Sequence, residues 1–180
     1  MEKRDYWWMA APLILGFGLG MLVGNRAHAC VKNRPSVYPF ELDRYLGKWY
    51  EIARYDMKFE KGLSHVTAEY SLNPDGSVKV LNSGTDEDGE RHYAEGKAKV
   101  PDLNDPARLK VSFFGPFYSD YIVMYLDQDN YSYALVGSKK EKYLWILSRT
   151  PKLPKETLNM ILQKALELDY DLSRLIFTEQ

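Results

Sequence analysis

The sequence predicts an all-β domain, an eight-stranded antiparallel up-and-down β-barrel with a C-terminal α-helix packed outside. Three observations carry that expectation. Runs rich in β-branched and aromatic residues recur through the middle of the chain, and short polar turns separate them. No helical periodicity interrupts these runs. One amphipathic stretch follows the last of them.

The strands are read at 48–55, 66–72, 78–83, 92–100, 109–114, 121–127, 131–137 and 143–149. Turn chemistry marks several boundaries: Asn73-Pro74-Asp75-Gly76, Asp86-Glu87-Asp88-Gly89, Asp127-Gln128-Asp129-Asn130 and Lys139-Lys140-Glu141-Lys142. Short connections make neighbouring strands antiparallel. Closing eight of them into a barrel removes both exposed edges and leaves an interior suited to one small ligand. After the eighth strand, Pro151 and Pro154 stop the sheet, and Leu158, Ile161, Leu162, Ala165 and Leu166 recur at helical spacing. The outer wall of the barrel is the natural partner for that stripe. Leu175-Ile176-Phe177 adds a possible short final strand.

The chain divides into a signal peptide at 1–29, a linker at 30–40 and a barrel domain at 41–180. Residues 9–24 carry no charge and follow Lys3 and Arg4, the layout of an export signal. Ala27-His28-Ala29 is a cleavage pattern that leaves Cys30 as the first mature residue. Lipidation of Cys30, simple secretion and an uncleaved anchor are all open at this point. The expected location is exported: an outer membrane lipoprotein, or periplasmic or secreted.

Composition narrows the function classes. With 24 basic and 25 acidic residues among 180, no net field favours nucleic acid. A single cysteine excludes an intramolecular disulfide and a Cys-rich metal site. His28, His65 and His92 lie far apart and are read as surface residues, so no metal and no cofactor is expected.

Gly47-Lys48-Trp49-Tyr50-Glu51-Ile52-Ala53-Arg54 resembles the G-x-W signature of the lipocalin family, in the form seen in its bacterial, apolipoprotein D-like subgroup. A second family region, around Gln128-Asp129-Asn130, is only partly matched. The third, an Arg closing the eighth strand, is met by Arg149, and Ser112-Phe113-Phe114-Gly115-Pro116-Phe117-Tyr118 is similar to a segment of the bacterial subgroup. The resemblance implies that Gly47, Trp49 and Arg149 are structural, with Arg149 packed over Trp49 at the closed end. It also implies non-catalytic binding, storage or transport of a fatty acid or lysophospholipid in the cell envelope, with a membrane as partner through Cys30.

Alternation along the strands points Val66, Ala68, Tyr70, Leu72, Asn82, Tyr121, Tyr125 and Trp145 inward, among others. Of these inward residues, Tyr70, Asn82, Phe113, Tyr121 and Trp145 are the candidate ligand contacts, being placed nearer the open end. Lys58 and Lys61 are candidates for an anionic head group at the mouth. Two other classes compete: an isomerase-like barrel enzyme and a structural protein with a filled barrel. No catalytic residue is assigned, because Cys30 precedes the barrel, no G-x-S-x-G elbow occurs, and Glu51 and Glu95 are read as exposed or structurally paired.

Overall fold

The computed structural model describes residues 34–57 and 60–180. In chain order they form α1 (Leu42–Tyr45), β1 (Gly47–Tyr55), β2 (Ser64–Leu72), β3 (Val78–Thr85), β4 (Arg91–Lys99), β5 (Arg108–Phe114), β6 (Phe117–Leu126), β7 (Tyr133–Gly137), β8 (Leu144–Ser148), α2 (Lys155–Glu167) and β9 (Leu175–Phe177). Consecutive strands pair antiparallel, and β1 bonds to both β2 and β8. The sheet therefore closes into an eight-stranded barrel, with β9 added along the far part of β1. β6 begins earlier than expected because Phe114 and Phe117 pair across the tip of the β5–β6 hairpin.

Two walls of the barrel differ in what covers them. Along β3 and β4, buried Val78, Val80, Ala94 and Ala98 alternate with Lys79, Glu95 and Lys97, so one face is core and the other meets water. Along β6 to β8 both faces are apolar. Val123, Leu126, Ala134, Val136 and Leu147 belong to the inner cluster, while Ile122, Met124, Leu135, Leu144 and Ile146 form a second cluster under α2. Ile161 and Ala165 of the helix are fully buried there. Burial of a side chain such as Ile161 stabilises by roughly 1.5–3 kcal/mol. Leu166, placed on the buried stripe by sequence, is instead half exposed, because it lies off the face that Leu158, Ile161, Leu162 and Ala165 share.

Three further placements differ from simple alternation. A bulge after Val123 leaves Tyr125 opposite Leu135, so Tyr125 faces outward and packs near Tyr133. Leu72 shares the face of Val78 but ends its strand and is 50% exposed. His92, expected at the surface, is 5% exposed because it follows the inward face of Ala94.

The two ends are unlike. α1 lies across the floor, with Phe40 and Tyr45 in the inner cluster. β1 runs away from that floor, so residues 60–63 and the connections at 86–90, 115–116 and 138–143 ring the opposite, open end.

Candidate functional site

The floor is built around Trp49, which is fully buried and donates from its indole Nε1 to the Tyr45 carbonyl at 2.8 Å. The guanidinium carbon of Arg149 sits 3.8 Å from the centre of the Trp49 ring. Its N–H groups donate to the carbonyls of Lys48 (2.9 Å), Arg44 (2.8 Å) and Tyr131 (3.2 Å). One side chain thus ties together α1, β1 and the β6–β7 connection. Gly47 has φ +90, and a β-carbon on it would stand 3.5 Å from Arg149 Nη1, so this position favours glycine on backbone grounds with the guanidinium beside it.

Above the floor, three tyrosines share a chain of hydroxyls. Tyr121 meets Tyr45 at 2.7 Å and Tyr70 at 2.8 Å. Burial pushes the Tyr70 hydroxyl up to about 12 and those of Tyr45 and Tyr121 well above 10. All three stay neutral through the physiological range, and the chain satisfies groups that would otherwise be costly inside an apolar core.

Of the five candidate contacts, Tyr70 and Tyr121 touch, through that hydroxyl pair, and Tyr70, opposite Gly47 and packed on Tyr45, lies at the floor and not nearer the open end as expected. Asn82 lies between Ala68 and Ala94 on the inner face, and its Oδ1 is buried with no hydrogen-bond partner. Phe113 packs on Gly96, so closely that a β-carbon there would fall 2.7 Å from the ring. Trp145 stacks on Tyr143, with ring centres 5.8 Å apart and planes 4° from parallel. Ala68, Phe113, Tyr121 and Trp145 all pack against the inner cluster yet are only partly buried.

Toward the open end lies a polar group that sequence reasoning missed. Strict alternation would put Glu51 and Arg54 on opposite faces. A bulge between Glu51 and Ala53 sets Glu51 opposite Leu147 and Arg54 opposite Trp145, both inner residues. Arg54 Nη1 then donates to Glu51 Oε1 at 2.6 Å and to the Thr178 hydroxyl at 3.1 Å, while Thr178 also donates to Glu51 at 2.7 Å. Arg54 Nη2 holds the β1–β2 connection through the Glu60 carbonyl at 2.5 Å. The Glu60 carboxylate lies 3.9 Å from Arg54 Nε and accepts from Trp145 Nε1 at 3.3 Å. Glu51, Arg54 and Glu60 are each under 5% exposed. Desolvation raises Glu51 above its usual range and, with the nearby Glu51 charge, lifts Glu60 to about 8, despite the opposing pull of Arg54.

The C-terminal residues complete this end. Where β1 and β2 diverge, the His65 N–H donates to the Glu179 carbonyl at 2.6 Å, and Gln180 Nε2 bridges the carbonyls of Glu51 and Val66 at 2.7 and 2.8 Å. Lys61 is exposed and lines an outer groove of about 380 Å³ together with Arg54 and Thr178. Lys58, like Cys30 and His28, lies outside the described residues. Asp86, Glu90 and His92 gather at the rim, but His92 Nε2 is 2.5 Å from Asp86 Oδ2, and Asp86 Oδ1 accepts from the N–H groups of Asp88 and Glu90. Glu95 pairs with Lys79 at 3.1 Å on the outer face.

A barrel closed at its floor by an Arg-capped Trp, with an inner wall that is largely apolar and carries a few buried polar groups, defines a carrier-type fold for one small hydrophobic molecule. Residues 40–180 match the family model described as a lipocalin-like domain, and the chain belongs to that family. It is 48% identical over 157 residues to the outer membrane lipoprotein Blc of Vibrio cholerae, covering 85% of this chain and 92% of that protein. The Blc protein of Escherichia coli K12 is also 48% identical, over 78% of this chain and 80% of its own length. Apolipoprotein D of Rattus norvegicus is 36% identical over 78% of this chain and 77% of its own. Among solved structures, insecticyanin from Manduca sexta superposes with a TM-score of 0.66 at 25% identity, covering 83% and 85% of the two chains. Family and fold together support binding of a lipid or other small hydrophobic ligand.

Proposed function

We propose that the protein binds a fatty acid or a lysophospholipid non-covalently and stores or carries it in the cell envelope, without catalysis. The observation that carries this reading is the half-buried inner surface. Phe113, Tyr121 and Trp145 point into the barrel yet are not packed away as a filled core would be. An acyl chain suits the apolar wall, and the unpartnered Asn82 Oδ1 offers an acceptor to a ligand hydroxyl. Tyr70, Asn82, Phe113, Tyr121 and Trp145 form the proposed contact surface, with Lys61 in the β1–β2 connection offered to an anionic head group.

The names of the Blc relatives support export and outer-membrane attachment. In this reading residues 1–29 are removed and Cys30 carries the lipid anchor. Native mass spectrometry of the mature protein, followed by lipid extraction, tests the ligand. One acyl lipid per chain is expected. A protein that emerges empty and refuses both fatty acids and lysophospholipids in titration overturns the assignment. The intact mass of the membrane fraction tests acylation of Cys30 separately.

A further inference from the structure

The first described residue, Arg34, lies against the β7–β8 connection, while its carbonyl accepts from Arg108 at the start of β5. Arg34 is buried, with its guanidinium carbon 4.1 Å from the centre of the Tyr170 ring and Nη2 3.5 Å from Glu141, in the β7–β8 connection. It also donates to the Leu168 carbonyl. Cys30 stands four residues earlier. Four residues reach at most about 14 Å when fully extended. A lipid on Cys30 therefore ties the anchored end of the chain to within about 14 Å of the Arg34 backbone.

The neighbouring rim has chemistry suited to a lipid surface. At the tip of the β5–β6 hairpin, Phe114 is 53% and Phe117 73% exposed. Pairing of β6 with β7 ends at Ile122 and Gly137, so the tip extends past the last rung of that pair. In the β7–β8 connection Lys139, Lys140 and Lys142 are all exposed, and the acid among them, Glu141, faces Arg34. The exposed acids Glu87, Asp88 and Glu90 lie across the mouth in the β3–β4 connection. Exposed rings beside a block of cations fit an interface in which rings enter the acyl region and cations remain at head-group level.

We infer that the rim formed by the β5–β6 tip and the β7–β8 connection docks on an anionic lipid surface, through Phe114, Phe117, Lys139, Lys140 and Lys142, and turns the mouth of the barrel toward the lipid. The direction of approach rests on the Cys30-anchored reading above, whereas the docking surface is a property of the rim. Docking in this pose lets an amphiphile pass between bilayer and barrel with little travel through water.

The test uses the mature chain from residue 30 carrying Cys30→Ser, which cannot be acylated and lacks the apolar leader, so that docking is measured apart from anchoring. Co-sedimentation at low salt compares vesicles of mixed phosphatidylglycerol and phosphatidylcholine with vesicles of phosphatidylcholine alone. Binding to the anionic vesicles is expected. Combined Lys139→Gln, Lys140→Gln and Lys142→Gln should lower partition about a hundredfold, at about fivefold per charge. Phe117→Ser should lower it about tenfold. Lys152→Gln with Lys155→Gln, at the floor end, should leave partition unchanged. All these positions are exposed, and near-ultraviolet circular dichroism checks that each variant keeps its packing. No binding to anionic vesicles, or equal losses from the rim and floor substitutions, would overturn the proposal. Absence of acyl groups on Cys30 in the membrane fraction would leave this measurement intact and remove only the anchor.

Discussion

The floor and the mouth of the barrel both place an arginine against buried groups, but they balance it differently. At the floor Arg149 meets neutral partners: an indole face and three carbonyls, beside a chain of neutral tyrosine hydroxyls. At the mouth Arg54 meets two buried carboxyl groups, and both are raised above their usual range. Neutral hydrogen bonding around one cation is stable over a wide pH range, whereas two acids sharing one cation are poised to change protonation. The floor is built to be permanent. The mouth is built to respond.

The largest expected effect breaks the mouth. Arg54→Ala removes the partner of Glu51 and frees the Glu60 carbonyl and the Thr178 hydroxyl together. Loss of one member of a buried pair costs about 3–5 kcal/mol. Urea unfolding should show that loss, and a change below about 1 kcal/mol would mean that the pair behaves as an exposed one.

Arg149→Ala comes next. The ring contact contributes roughly 0.5–2 kcal/mol, and three carbonyls lose a donor, so a loss of about 2–3 kcal/mol is expected. Fatty-acid affinity should not change, because Arg149 lies beneath the floor. Trp145→Ala reverses the pattern. A fatty-acid Kd about tenfold weaker, equivalent to about 1.4 kcal/mol, is expected from loss of an inner-wall aromatic. Unchanged affinity would remove Trp145 from the contact surface.

The same contrast explains what the sequence disclosed. The outer wall at β3 and β4 was legible because water on one face enforces strict alternation, as at Val78, Lys79 and Val80. The wall under α2 was legible as strands but not as faces, since Ile122, Val123 and Met124 are all buried. Where the backbone departs from period two, facing was lost. The bulge after Val123 turned Tyr125 outward, and the bulge after Glu51 hid an ion pair that now crosses from strand to connection. Glu60 gave no signal at all. It sits in a turn among charged residues, and only the folded position of that turn against Trp145 makes it buried.

Glu60 also supplies the smallest and most diagnostic effect, a slope rather than a step. In the unfolded chain its carboxyl ionises near 4.5, and in the fold it holds its proton up to about 8. Between those values the folded state carries more protons than the unfolded state, so stability falls as pH rises. The contribution of the neutral form is complete below about pH 4.5 and is lost as pH rises through about 8. Glu51, raised by burial, acts in the same direction. Unfolding free energies from urea titrations between pH 5 and pH 8.5 should therefore decline, by up to about 1.4 kcal/mol per pH unit for a single group. Glu60→Gln keeps an acceptor for the Trp145 N–H but cannot ionise, so it should flatten the decline without removing the share due to Glu51. Gln in place of Arg149 serves as the floor control and should lower stability equally at every pH. If Glu60→Gln leaves the slope as it was, the proton resides elsewhere and the mouth is no more responsive than the floor.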